Sequence, residues 1–175
     1  MTEYYLDIET EGLNPKSDKI ITIQYQKLGK TTGRPLGKLT ILQEWKSSEE
    51  QILNKFLPLF LDNWTFVPIG SSLAFDFRFI KARAKKIVKK EIPWQWLFHG
   101  RPYLDLKPIL IIWNRGNFKL SGLNSLLDMP HIDIEWYKNK QYDKIIGYIK
   151  QEAENFIDVY QTLKREIPKI ELWKG

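Results

Sequence analysis

Two acids stand two residues apart in an otherwise apolar stretch, Tyr4-Tyr5-Leu6-Asp7-Ile8-Glu9-Thr10. In an extended strand alternate side chains share a face and a two-residue step covers roughly 6.6 Å, so Asp7 and Glu9 project side by side while Leu6 and Ile8 point the other way. Like-charged carboxylates at that separation repel, and beside an apolar core they are also poorly solvated. A divalent cation between them removes both costs, and an all-oxygen site selects Mg²⁺ or Mn²⁺. The competing reading is a half-exposed edge strand with two solvated acids.

Two other places carry residues of the same chemical kind. Asp76 sits among Phe75, Phe77 and Phe79 at the start of a predicted helix. An ordinary acid at an exposed helix N-terminus gains well under ~1 kcal/mol from the macrodipole, and the aromatic setting points instead to a functional carboxylate. Tyr148 and Glu152 are four apart on a predicted helix and therefore share one face. A tyrosine hydroxyl beside a metal-bound carboxylate can orient, or help deprotonate, an attacking water. Taken alone, such a pair is more often two surface residues than a site.

Composition narrows the chemistry. The 175 residues suit one domain, expected to span 1–175. There is no cysteine, which excludes disulfides and thiolate metal sites, and with only two histidines (His99 and His131) a His-rich zinc centre is not expected. Any metal must be held mainly by oxygen. No apolar run approaches the roughly 20 residues of a membrane span, and no basic-then-apolar leader precedes the first strand, so a cytoplasmic protein with no membrane partner is expected. A net charge of +6 favours a polyanionic partner such as nucleic acid. A basic protein that gathers acids in one place has a use for them there.

The elements that must position these residues follow from periodicity and punctuation. Residues 3–8 form a first strand, ended by Gly12, Asn14 and Pro15. Residues 20–27 alternate, with Ile21, Ile23 and Tyr25 on one side. After a Gly- and Pro-rich connection over 31–37, residues 39–45 read as a third strand, completing an antiparallel meander. Ser47 or Ser48 caps a helix whose apolar positions run from Ile52 to Leu61. A buried strand over 65–69 leads through Gly70-Ser71-Ser72 into a helix over 74–90. Residues 104–113 are predicted helical, with Pro108 in the first turn. A short helix is expected over 121–127 and the longest over 141–165. The order gives an α/β fold with a mixed sheet in a single domain.

Together these segments resemble the DEDD superfamily of 3′–5′ exonucleases. Asp7-Ile8-Glu9-Thr10-Glu11-Gly12-Leu13 is similar to the family's first motif, and Ser72-Leu73-Ala74-Phe75-Asp76 to its second, with Ser72 in place of Asn. Tyr148-Ile149-Lys150-Gln151-Glu152 is similar to the third motif of the tyrosine subgroup, with Glu in place of the last Asp. Tyr103-Leu104-Asp105-Leu106, the segment over 118–123 and Tyr160 extend the likeness over nearly the whole chain. The resemblance implies a ribonuclease H-like fold, in which a three-stranded antiparallel meander plus parallel strands form a sheet flanked by helices. It implies two divalent ions, Mg²⁺ or Mn²⁺. Asp7 would bridge them, Glu9 and Glu152 would complete one site, Asp76 would hold the second through water, and Tyr148 would position the attacking water. Thr10, Gly12 and Leu13 would contact the terminal nucleotide, with Ser72 and Phe75 of the second motif beside them.

The implied activity is hydrolysis of single-stranded DNA or RNA from its 3′ end, releasing 5′ nucleotides, with replication or repair proteins as possible partners. Asp158 competes with Glu152 as the third-motif acid. Because Ser72 and Glu152 depart from the family pattern, a catalytically impaired nucleic-acid- or partner-binding module is the alternative. An endonuclease of the ribonuclease H type is a third reading. The basic run from Lys81 to Lys90 reads either as a track for phosphates or as a solvated helix face. Trp94, Trp96 and Trp113 read as base-stacking or as packing residues. Asp105, Asp128 and Asp133 are expected to be turn or capping residues, and His99 structural.

Overall fold

In a computed structural model, described for residues 1–62, 65–113 and 132–166, the chain builds one mixed sheet. Strands β1 (Glu3–Thr10), β2 (Ile20–Leu28), β3 (Thr40–Gln43), β4 (Val67–Gly70) and β5 (Leu104–Asp105) lie in the order β3-β2-β1-β4-β5. The β1–β2 and β2–β3 pairs are antiparallel, as a meander requires, and β4 and β5 join parallel to β1. The helices are α1 (Glu49–Phe60), α2 (Leu73–Ile87), α3 (Trp94–Phe98), α4 (Leu106–Trp113), α5 (Ile134–Lys138) and α6 (Tyr142–Glu166). This is the ribonuclease H-like α/β arrangement expected from the sequence. No helix among the described residues is long and apolar enough to cross a membrane.

Alternation along β1 sorts its side chains onto two faces. Leu6 and Ile8 join Ile23, Phe56, Phe60, Phe66 and Phe77 in a core beneath α1 and α2. Tyr5, on the opposite face, packs with Val67, Ile69 and the stripe of Phe156, Ile157 and Tyr160 from α6. Asp7 and Glu9 continue that second face and so come to lie under α6. Gly70, at the end of β4, has no room for a side chain, because a Cβ there would strike the carbonyl of Leu6 and the side chain of Leu73. Its lack of one lets β4 lie against β1 and turn at once into α2, which carries Asp76.

Ser48 accepts a hydrogen bond from the Gln51 amide at 3.2 Å, so it is the cap that starts α1. Several boundaries differ from expectation. The third strand ends at Gln43, and Trp45 lies in a 3₁₀ turn over Glu44–Lys46. Leu104 and Asp105 form strand β5, and the helix begins only at Leu106, where Pro108 falls in the first turn as anticipated. Helices α3 and α5 were not anticipated, since five residues show no helical period. The expected helix over 121–127, the segment over 118–123, Asp128, His131 and the side chain of Trp113 lie outside the described residues.

Candidate active site

Strand β1 delivers Asp7 and Glu9, and α6 crosses above them with Glu152. Carboxylate oxygens of the three residues lie within 4.8 Å of one another. Glu152, despite its extra methylene relative to Asp, thus reaches the pair on β1. Asp158, a turn and a half further along α6, is exposed, accepts a hydrogen bond from Gln161 and is not in this cluster.

Asp76 enters from the first turn of α2 and is 2 % exposed. Its Oδ1 has no hydrogen-bond partner among the described residues. A buried carboxylate oxygen left bare is costly unless something outside the chain takes it up. The turn that delivers it is held by Asp105, whose Oδ1 accepts the Ser72 amide at 2.9 Å and the Lys107 amide at 3.0 Å. Asp105 is thus a capping residue as expected, placed where it steadies the acid-bearing turn. Ser72 itself sits in the left-handed region, φ 62° and ψ 33°.

The electrostatics join these acids into one group. Burial lifts the Asp7 carboxyl to about 7, against the pull of hydrogen bonds from Gln24 and the Ile8 backbone. Glu9 is raised well above its ordinary range by burial, then by the charges of Asp7, Glu152 and Asp76. Asp76 is raised by burial and by Asp7, with a further contribution from Asp105. Even the Tyr5 phenol below them is pushed up by burial and by all four acids. Without a counter-ion the group cannot be fully ionised at neutral pH at low cost; a divalent cation reverses that balance. The donor set is all carboxylate oxygen, which fits Mg²⁺ or Mn²⁺.

Beside the acids lies a cleft of about 430 Å³, walled by Glu9, Thr10, Gly12, Leu13 and Phe75 on one side and by Ile132, Ile134 and Tyr137 on the other. The Thr10 hydroxyl donates to the Gly12 carbonyl at 2.6 Å, bracing the loop. Gly12 faces the Asp18 carboxylate, which a Cβ would strike. Leu13 is 85 % exposed at the cleft mouth. The α5 wall is tied to the sheet edge through Tyr137, whose hydroxyl donates to Glu44 at 2.5 Å, while Lys19 bonds Glu44 at 3.0 Å. Tyr148 is 8 % exposed and packs with Ile145, Ile149 and the Trp136 ring, one turn before Glu152.

Other sequence candidates lie elsewhere. Within the basic run, Arg83 forms a buried ion pair with Glu49, and Lys81, Lys85 and Lys86 bind Ile92, Glu91 and Lys16. Arg83 is therefore internal, whereas Lys85, Lys86, Lys89 and Lys90 are exposed, as both the phosphate-track and the solvated-face readings require. Trp96 packs edge-on against Phe60 and holds α3 to the core, whereas Trp94 lies tilted against Phe98 of the same helix and stays exposed. The residues that sequence reasoning passed over are Thr22, Gln24 and Tyr137. The first two were legible as a polar alternation, Thr22-x-Gln24-x-Gln26, on a strand whose other face is apolar.

A model of the RNase_H superfamily matches residues 4–139. Among solved structures, the zinc-bound form of the E. coli exonuclease I complex with single-stranded DNA superposes with a TM-score of 0.68 at 12 % identity, covering 96 % of this chain and 41 % of that one. E. coli exonuclease I in complex with a dT13 oligonucleotide gives 0.66 at 12 % identity, covering 93 % and 41 %. A product-bound exonuclease I gives 0.57 at 13 % identity, covering 92 % and 46 %. The chain thus spans less than half the length of these structures, and the likeness is one of fold. No curated protein matches the chain in sequence.

Proposed function

This chain belongs to the RNase_H superfamily, and from that premise we propose that it is a metal-dependent 3′–5′ exonuclease of the DEDD type acting on single-stranded nucleic acid, with residues 1–175 as one exonuclease domain. The observation that carries the reading is the convergence of Asp7, Glu9 and Glu152 within 4.8 Å, beside a buried Asp76 with a bare oxygen. Asp7, Glu9 and Glu152 would hold one divalent ion, Mg²⁺ or Mn²⁺, and Asp76 would hold a second through water. When bound, such ions lower the pKa of water and neutralise charge on the phosphate under attack.

The chain's own residues do the rest. Thr10, Gly12, Leu13 and Phe75, which line the cleft beside the acids, seat the terminal nucleotide so that only the last phosphodiester bond lies over them, while Ser72 shapes the turn that carries Phe75 and Asp76. Tyr148, one turn from Glu152, orients the water that attacks phosphorus. The P–O3′ bond breaks, the proton goes to the departing 3′ oxygen, and a nucleoside 5′-monophosphate leaves. The single-stranded DNA in the exonuclease I complexes supports that substrate class for a chain of the same fold. The reach of Glu152 into the cluster supports an active centre over an impaired binding module.

The test uses 3′-labelled single-stranded DNA and a matched RNA with Mg²⁺ or Mn²⁺. Release of labelled mononucleotide that stops with excess chelator is the expected result, and hydrolysis that persists in chelator would contradict the reading.

A further inference from the structure

Asp7 does not stand alone on the sheet. Directly across the β1–β2 ladder lies Gln24, and across from Glu9 lies Thr22. Both are completely buried. Gln24 Nε2 donates to Asp7 Oδ2 at 2.6 Å, and the Thr22 hydroxyl donates to Gln24 Oε1 at 2.9 Å. The order of these bonds matters. An amide can present either its oxygen or its nitrogen to a carboxylate, and only the nitrogen is attractive. Thr22 occupies the oxygen, which leaves Nε2 facing Asp7.

We propose that Gln24 is a positioning residue for the metal centre, with Thr22 setting the sense of its amide. Resting on the reading of Asp7 as a metal ligand, the proposal gives the Asp7 carboxylate one fixed rotation. Oδ2 is tethered to β2, and a carboxylate oxygen of Asp7 lies within 4.8 Å of one from Glu9 and one from Glu152. Outer hydrogen bonds of this kind orient ligating groups before the ion arrives, and their loss lowers metal affinity by about 10- to 100-fold. A purely structural role for Gln24 needs only its volume; a positioning role needs its N–H. Tyr5 and Gln26, the neighbours on the same face, make no such contact with the acids: Gln26 Nε2 donates instead to the Gly37 carbonyl at 2.9 Å.

The test is Mn²⁺ binding to the intact chain, followed by calorimetry and by the electron paramagnetic resonance signal of free Mn²⁺, with circular dichroism as the check on folding. Gln24→Met keeps the length and loses the donor; its Mn²⁺ dissociation constant is expected to rise at least about tenfold. Thr22→Val is expected to shift it in the same direction, while Thr22→Ser, which keeps the hydroxyl, retains the affinity that Thr22→Val loses. If Gln24→Met does not fold, the Thr22→Val and Thr22→Ser pair decides. Unchanged affinity in Thr22→Val and in folded Gln24→Met overturns the proposal and leaves the metal centre standing, provided that Asp7→Ala abolishes binding. A parent protein that binds no Mn²⁺ overturns both.

Discussion

Ser72 holds a left-handed backbone (φ 62°) at the turn that delivers Asp76, and its side chain makes no capping bond. For a residue with a Cβ that conformation costs roughly 1–2 kcal/mol, and glycine escapes the cost while asparagine tolerates it best among the others. The motif that this segment resembles has Asn at this position, a residue that this backbone region tolerates better than Ser. Ser72→Gly should therefore stabilise the protein by about 1 kcal/mol, raising its thermal midpoint by about 2–4 °C. A calorimetric scan showing a lower midpoint would mean that the Ser72 side chain does more than the backbone suggests. At this scale the sequence was most informative where an acid stood among apolar neighbours, as Asp7, Glu9 and Asp76 do. It was least informative for Thr22 and Gln24, because polar residues alternating along a strand look like a solvent face until a helix is known to cover them.

Elements meet at Glu49, where its carboxylate accepts the Ile20 amide at 2.9 Å and pairs with Arg83 at 2.6 Å, joining the start of β2 to α1 and α2. Both side chains are nearly excluded from water. Removing one partner strands the other, so Glu49→Ala should cost about 3–5 kcal/mol, read as a lowered midpoint in urea unfolding. Loss of less than about 1 kcal/mol would show that water reaches Arg83 freely. Nothing in the sequence reveals this pair, since Glu49 and Arg83 are 34 residues apart and Arg83 lies within a run of surface lysines. The long elements were legible through their periods: β1, β2, α1, α2 and α6 all fall where expected. Five-residue helices and a two-residue strand carry too few residues for a period to emerge, which is why α3, α5 and β5 did not.

Over the whole molecule, a basic chain with a net charge of +6 gathers Asp7, Glu9 and Glu152 within 4.8 Å of one another where α6 crosses the sheet. That arrangement has a cost in the metal-free protein, and its sign is fixed. The Asp7 carboxyl is raised from 3.8 to about 7, and Glu9 and Asp76 are raised too, so the folded state binds protons more tightly than the unfolded state. The stability these groups contribute is fully present below the ordinary carboxylate range and is lost as pH rises from there through about 7. Thermal scans in chelator should show that decline. Added Mn²⁺ should raise the midpoint at pH 8 and have little effect at pH 4.5, where protons compete for the same oxygens. A midpoint indifferent to Mn²⁺ at pH 8 would argue against the centre. The fold was legible from the order of elements, whereas the joining of Glu152 to the β1 acids was legible only through the family resemblance, because spacing alone does not give the path of α6 across the sheet. The most direct measurement of the central claim compares a 5′-labelled linear single strand with a circular one of the same sequence, in Mn²⁺, for the parent protein and Asp7→Ala. The account predicts stepwise shortening of the linear strand from its 3′ end, an intact circle and an inert Asp7→Ala variant; a cut circle, or an Asp7→Ala variant that still shortens the strand, would contradict it.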